Sequence, residues 1–300
     1  MVQIENLNRY FGAVHALNNV HLHVQKNQLF GLIGPDGSGK STLFDILATL
    51  RLPSSGKAIV HGFDVQKKAS QIRKIIGFMP GQFSLYQDLS VLENIRFFAN
   101  VYGVAFDESF PLIRDIWQQI APFKHRLAGK LSGGMKQKLA LCCALVHKPS
   151  ILLLDEPTTG VDPVSRKEFW EMLQTLKSQN ITTLVSTPYM DEANLCECIA
   201  LIQNGKILAI NSPAAITAQF KFNLFGVQST RSNMLIKQLR QFEKTQHCFA
   251  FGKTLHLMLK DFSMTERDIV EFLEKHGHKN VAVWRMKPGI EDCFIELMQS

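Results

Sequence analysis

The stretch Gln28-Leu29-Phe30-Gly31-Leu32-Ile33-Gly34-Pro35-Asp36-Gly37-Ser38-Gly39-Lys40-Ser41-Thr42 carries the densest chemistry in the chain. An apolar run, Leu29–Ile33, has the character of a buried parallel strand, and Thr42–Leu50 has helical apolar spacing. Between them stands Gly34-x-x-x-x-Gly39-Lys40-Ser41, in the strand–turn–helix context that a phosphate-binding loop requires. Glycines let consecutive N–H groups converge on an anion, and a helix N-terminus adds positive dipole. Lys40 is placed to reach β- and γ-phosphates, and the Ser41 hydroxyl to hold Mg²⁺. Gly34, Pro35, Asp36, Gly37, Ser38, Gly39, Lys40, Ser41 and Thr42 are therefore the expected nucleotide-binding residues.

Such a loop needs a metal-binding carboxylate on a neighbouring strand. Ile151-Leu152-Leu153-Leu154-Asp155-Glu156 supplies one, with Asp155 ending an apolar run as the second expected Mg²⁺ ligand. Glu156 follows and is placed to polarise an attacking water, so Glu156 and Lys40 are the expected catalytic residues. The plain alternative is a strand ending in a solvated acidic turn.

The elements that hold these residues must come from a chain of 300 residues, 46% hydrophobic and 20% charged, long enough for about two domains with real cores. A net charge of +7 fits a nucleic-acid surface, an anionic membrane surface, or simply scattered lysines. The spacings of Cys142-Cys143 and Cys196-x-Cys198 match no zinc site, and the cysteines read as reduced thiols in a cytosolic protein. The first residues lack the charged and apolar regions of a signal peptide. The longest apolar stretches fall short of the roughly 20 residues a spanning helix needs. Any membrane role is thus expected to run through another polypeptide.

Between the two nucleotide stretches lies Leu131-Ser132-Gly133-Gly134-Met135. With them it resembles the ATP-binding cassette (ABC) ATPases, over about residues 2–220. The resemblance implies a P-loop NTPase fold of α/β class with a helical subdomain at about 90–146. It also implies ATP and Mg²⁺ as ligands, and two cassettes paired head to tail. In such a pair Ser132, Gly133 and Gly134 bind the γ-phosphate held by the partner, and Asp162 of Gly160-Val161-Asp162 crosses the interface. Asp162 also reads as the cap of a helix beginning at Pro163. Phe11, before Gly12, fits the aromatic that stacks on adenine, with Tyr10 as the other candidate. Met135 stands where the family usually has glutamine.

Two positions depart from the family. The strand Ile75–Met79 should be followed by proline and then a glutamine that reaches the Mg²⁺ and the water. Here Pro80-Gly81-Gln82 puts Gly81 in its place and Gln82 one residue late, which in an extended segment turns the side chain to the opposite face. A local bulge would let Gln82 recover the role. The strand ending at Thr187 should be followed by a histidine that binds the γ-phosphate. Pro188 stands there, and proline donates no hydrogen bond. Beyond it Asp191, Glu192 and Ala193 look like a helix start. The expectation is retained ATP binding with weakened γ-phosphate sensing and slow hydrolysis; normal hydrolysis by Glu156 alone is the alternative.

After Phe220 the pattern changes to a smaller domain, residues 221–300. Strand Leu224–Gln228, helix Ser232–Phe242, a hairpin His247–Phe251 and Thr254–Lys260, helix Thr265–His276 and strand Val281–Arg285 follow in order. This βαββαβ order, closed by a helix Ile290–Met298, predicts a ferredoxin-like α+β domain. His247, His256, His276 and His278 are too scattered to read as metal ligands. The stretch Pro288–Phe294 resembles the C-terminal extension of drug- and polysaccharide-exporter ATPases.

The resemblance therefore implies the ATPase subunit of an exporter, working with a second cassette and a separate integral membrane permease at the inner face of the membrane. The alternatives are a non-catalytic regulatory cassette beside a competent one, and a soluble ABC protein acting on ribosomes or DNA. That last class usually has two cassettes or a long coiled coil in one chain, so nucleic acid is not the expected partner.

Overall fold

Fully buried strands decide the centre of the first unit. Leu29–Ile33, Ile151–Asp155 and Thr182–Thr187 are strands in which every residue is buried, as parallel strands covered on both faces must be. The computed structural model describes residues 1–229 and 232–299. It divides into a unit Met1–Ala214 and a unit Ala215–Ser300.

In the first unit a six-stranded sheet runs in the order Lys206–Asn211, Cys198–Gln203, Leu29–Ile33, Thr182–Thr187, Ile151–Asp155, Ile76–Met79. All neighbours are parallel except the edge hairpin, which turns at Asn204-Gly205 with φ of +48° and +74°. An antiparallel sheet of Val14–Val24, Val2–Phe11, Ser55–Val60 and Phe63–Asp64 accompanies it. The helix Lys40–Leu47 buries Leu43, Phe44, Ile46 and Leu47 in one cluster with Val2, Leu17 and Val60 of one sheet and Phe30, Leu153 and Leu184 of the other. Each such side chain contributes about 1.5–3 kcal/mol. The helix that begins at the phosphate-loop lysine is thus clamped by its apolar face.

Register brings the chemistry to one edge. Ile33 lies opposite Thr187, Asp155 opposite Ser186, and Met79 opposite Leu154. Four strands therefore end together at the side of an open α/β sheet where ligands bind.

Helices Val91–Tyr102, Phe106–Ile120 and Gly133–Leu145 fill the stretch between Met79 and Ile151. A capping box starts the first: Glu93 N–H donates to Ser90 Oγ at 3.3 Å and Ser90 N–H to Glu93 Oε2 at 2.8 Å. Buried Asn94 donates to the carbonyls of Tyr86, Leu89 and Ser90, which fastens the preceding segment to that helix. Among the described residues no helix is long and apolar enough to cross a membrane. The six cysteines are free, and burial pushes the Cys196 thiol up to about 12 and Cys248 to about 11.

In the second unit the strands are Asn223–Gln228, Thr245–Phe251, Thr254–Leu259 and Ala282–Arg285, antiparallel, with the first lying between the third and the fourth. Helices Ser232–Gln241 and Glu266–Lys275 place Leu235, Leu239, Ile269 and Leu273 against Phe225, Val227, Leu255 and Leu257. This arrangement is compatible with the ferredoxin-like expectation. The last helix, Ile290–Met298, is fixed by Asp292, which accepts the Gly289 N–H and lies 2.7 Å from His256 Nδ1.

Candidate functional site

The loop after Ile33 has no room for a side chain at its first and last glycines. A Cβ on Gly34 would stand 2.2 Å from the Ile202 carbonyl oxygen, and one on Gly39 2.5 Å from that of Ala16. Gly39 also has φ of +106°, a left-handed conformation that glycine adopts without cost. Lys40 is only 3% exposed. Its Nζ donates to Gly34 O at 2.8 Å and Pro35 O at 3.0 Å, and lies 3.1 Å from Glu156 Oε1. Ser38 N–H closes the turn onto Pro35 O, while buried Ser38 Oγ has no partner among the described residues. Asp36 is exposed. Gly37, Gly39, Lys40, Ser41, Thr42 and Glu156 line a cleft together with Val14, His15 and Ala16 of the opposite hairpin.

The end of Thr182–Thr187 organises the carboxylates. Ser186 Oγ donates to Asp155 Oδ1 at 2.5 Å, and the Glu156 N–H donates to both Ser186 O and Ser186 Oγ at 3.0 Å. Those bonds hold Glu156 at φ +48°, turning its carboxylate to Lys40. Gly81 lies against Asp155: a Cβ there would be 3.3 Å from Asp155 O and 3.6 Å from Oδ2. Gln82 instead lines a groove with Phe83, Phe98 and Tyr102, and is not among the residues lining the cleft. Around Pro188 the neighbouring donors are engaged inside the chain. Thr187 Oγ1 donates to Glu192 Oε2 at 2.5 Å, and the Tyr189 N–H donates to Thr187 Oγ1 at 3.1 Å. The helix expected at Asp191 is a 3₁₀ segment, Met190–Leu195.

Ser132 caps Gly133–Leu145 by accepting the Met135 N–H at 3.4 Å. Ser132 and Gly133 are exposed, and Gly134 is packed so closely that a Cβ would meet Ser165 Oγ at 2.5 Å. None of the three lines the chain's own cleft. Asp162 caps the helix Pro163–Ser178, accepting from Val164 and Ser165 N–H at 3.1 and 3.0 Å. Hydrogen bonds from Ser165 hold its carboxyl below the usual carboxylate range. Phe11 carries the Arg9 and Arg51 guanidinium groups 4.7 and 4.9 Å from its ring centre. Tyr10 stacks on His15 at 4.0 Å, and it is His15 that lines the cleft. Reading Gly12 as a hairpin turn would have paired Tyr10 with His15.

A family model described as ABC transporter matches residues 17–159. The chain is 39% identical over 273 residues to the probable multidrug ABC transporter ATP-binding protein YbhF of Escherichia coli, covering 89% of this chain and 46% of that protein. It thus spans about half the length of that relative. It is 32% identical over 265 residues to the Nod factor export ATP-binding protein I of Burkholderia lata, covering 87% of this chain and 86% of that one. Its fold is similar to the ATP-binding cassette MJ0796, solved as a dimer in a post-hydrolysis state bound to ADP and Pi. The identity is 26%, the TM-score 0.64, and the match covers 71% of this chain and 98% of that chain.

Proposed function

Because this chain belongs to the ATP-binding subunits of ABC transporters, we propose that it binds Mg-ATP in a head-to-tail pair of cassettes and drives export through a separate integral membrane permease. The observation that carries this reading is the convergence at one sheet edge. Buried Lys40 sits in the glycine loop with its ammonium 3.1 Å from Glu156, beside the Asp155–Ser186 hydrogen bond. Lys40 and the loop amides hold the phosphates. The unpartnered Ser38 hydroxyl is a further donor in the same loop. The Ser41 hydroxyl and the Asp155 carboxylate would supply hard oxygen ligands, the donor chemistry that suits Mg²⁺. Bound there, the ion neutralises charge on the phosphate oxygens. Glu156 orients a water and accepts its proton. Exposed Ser132 and Gly133, beside buried Gly134, serve the partner's nucleotide, and Asp162 reaches across. The groove of Phe83, Phe98 and Tyr102 is an apolar surface for the permease, which holds the chain at the inner face of the membrane.

To test this, the tagged chain is purified from detergent-solubilised membranes of its own host. An integral membrane protein is expected to elute with it, and ATP to bring two cassettes together. Elution with ribosomes or nucleic acid, insensitive to ATP, would sink the reading.

A second reading has its own support: Gly81 and Pro188 place no donor where two are expected. This chain's site is then the slow one, paired with a faster cassette. Replacing Pro188 by histidine is expected to raise single-turnover hydrolysis on the order of 10-fold, less than a full donor effect because Gly81 leaves the other contact missing. Adding Gly81→Gln gives a more than additive gain. The measurement uses a dimer whose other base is disabled. A fast wild-type rate that Pro188→His leaves untouched would show that another group senses the γ-phosphate.

A further inference from the structure

Behind the strand end Thr182–Thr187 lies a buried polar cluster that the proposed chemistry does not use. Glu192 is 2% exposed. Its Oε1 accepts from Thr158 Oγ1 at 2.8 Å and its Oε2 from Thr187 Oγ1 at 2.5 Å. Arg166 Nε lies 3.7 Å from Oε1, an ion pair that compensates the buried carboxyl. The same guanidinium stacks 4.0 Å over the Tyr189 ring.

The two hydroxyls belong to different loops. Thr158 opens the turn that carries Gly160 and Asp162, and its carbonyl accepts the Val161 N–H at 3.2 Å. Thr187 immediately precedes Pro188, and its carbonyl accepts the Gly34 N–H of the phosphate loop at 3.2 Å. One carboxyl therefore fixes, with one oxygen each, the loop proposed to cross to the partner and the strand end that closes the γ-phosphate side. At this strand end the Ser186 hydroxyl is held by Asp155, and the Thr187 hydroxyl is the side-chain group that ties it to Glu192.

We infer that Glu192 is a positioning residue for ATP turnover, locking the Thr158–Asp162 turn and the Thr187–Tyr189 strand end in one relation. The inference rests on the ATPase reading above. Glutamine is the sharp probe, since it keeps the shape but offers one acceptor in place of two.

The test uses the full chain and two readouts. In the nucleotide-free protein, amide exchange by mass spectrometry is expected to rise several-fold in both segments for Glu192→Gln, with the helix Lys40–Leu47 unchanged. In the cassette dimer, kcat is expected to fall on the order of 10-fold while KM for ATP stays within about twofold. Thr158→Val behaves likewise, Thr158→Ser keeps the hydroxyl and restores the wild-type kcat, and Thr158→Val with Glu192→Gln is no worse than either alone. Exchange rising in one segment only, an unchanged kcat, or a loss confined to KM would overturn the inference. A wild-type chain that neither binds nor hydrolyses ATP would sink the ATPase reading instead, and the exchange readout would still decide whether Glu192 joins the two segments.

Discussion

Lys40→Ala is expected to lower Mg-ATP affinity by about 10²–10⁴-fold, since it removes hydrogen bonds to two charged phosphates, each worth about 1.5–3 kcal/mol, and about 1.4 kcal/mol is tenfold in affinity. The ammonium is buried beside the loop carbonyls of Gly34 and Pro35, where no other cation lines the cleft among the described residues. Water cannot replace it on two phosphates at once. Isothermal calorimetry of the purified chain reads the change, with a thermal melt to show that the helix Lys40–Leu47 remains folded. An unaltered affinity would remove the basis for placing phosphates in the loop.

Glu156→Gln is expected to act on the other side of the same pair. Single-turnover hydrolysis at this site should fall by roughly 10²-fold or more, because the amide cannot take a proton from water. Affinity should move the opposite way from Lys40→Ala. In the nucleotide-free chain Glu156 holds Lys40 at 3.1 Å, with the lysine side chain 2% exposed and the glutamate 21%. Phosphates must displace that carboxylate, and glutamine leaves them less to displace. The two substitutions share one contact, so their effects on affinity are expected to be non-additive. Calorimetry on the double variant and rapid-quench hydrolysis on the single one measure this. Hydrolysis that survives Glu156→Gln at the wild-type rate would mean that another group takes the proton.

What was readable in the sequence was what lies close together along it. Gly34 through Ser41 spells its own turn, and Ile151–Asp155 its own strand, so both stand where expected. The C-terminal strands and helices followed from period-2 and helical spacing, with Gly252 marking the hairpin. Contacts between distant segments were not readable. Thr158, Arg166, Thr187 and Glu192 meet only because strand register brings Asp155 beside Ser186. Arg51 reaches the Phe11 ring from the turn that follows the helix Lys40–Leu47, and no local pattern announces it. Asp162 was legible as a cap because capping is local. The division between Ala214 and Ala215 falls inside the short helix Pro213–Ala218, whereas composition changes only after Phe220.

The close approach of Gly134 to Ser165 bears on how such proteins are recombined. Any side chain on Gly134 would need the neighbouring helix Pro163–Ser178 to retreat. A chimera that imports Leu131–Met135 from a relative while keeping its own Pro163–Ser178 would join surfaces never shaped to each other. The crossover points that respect this seam lie before Leu131 and after Ser178, so the stretch is to be exchanged as one cartridge with Asp155 and Glu156 inside it.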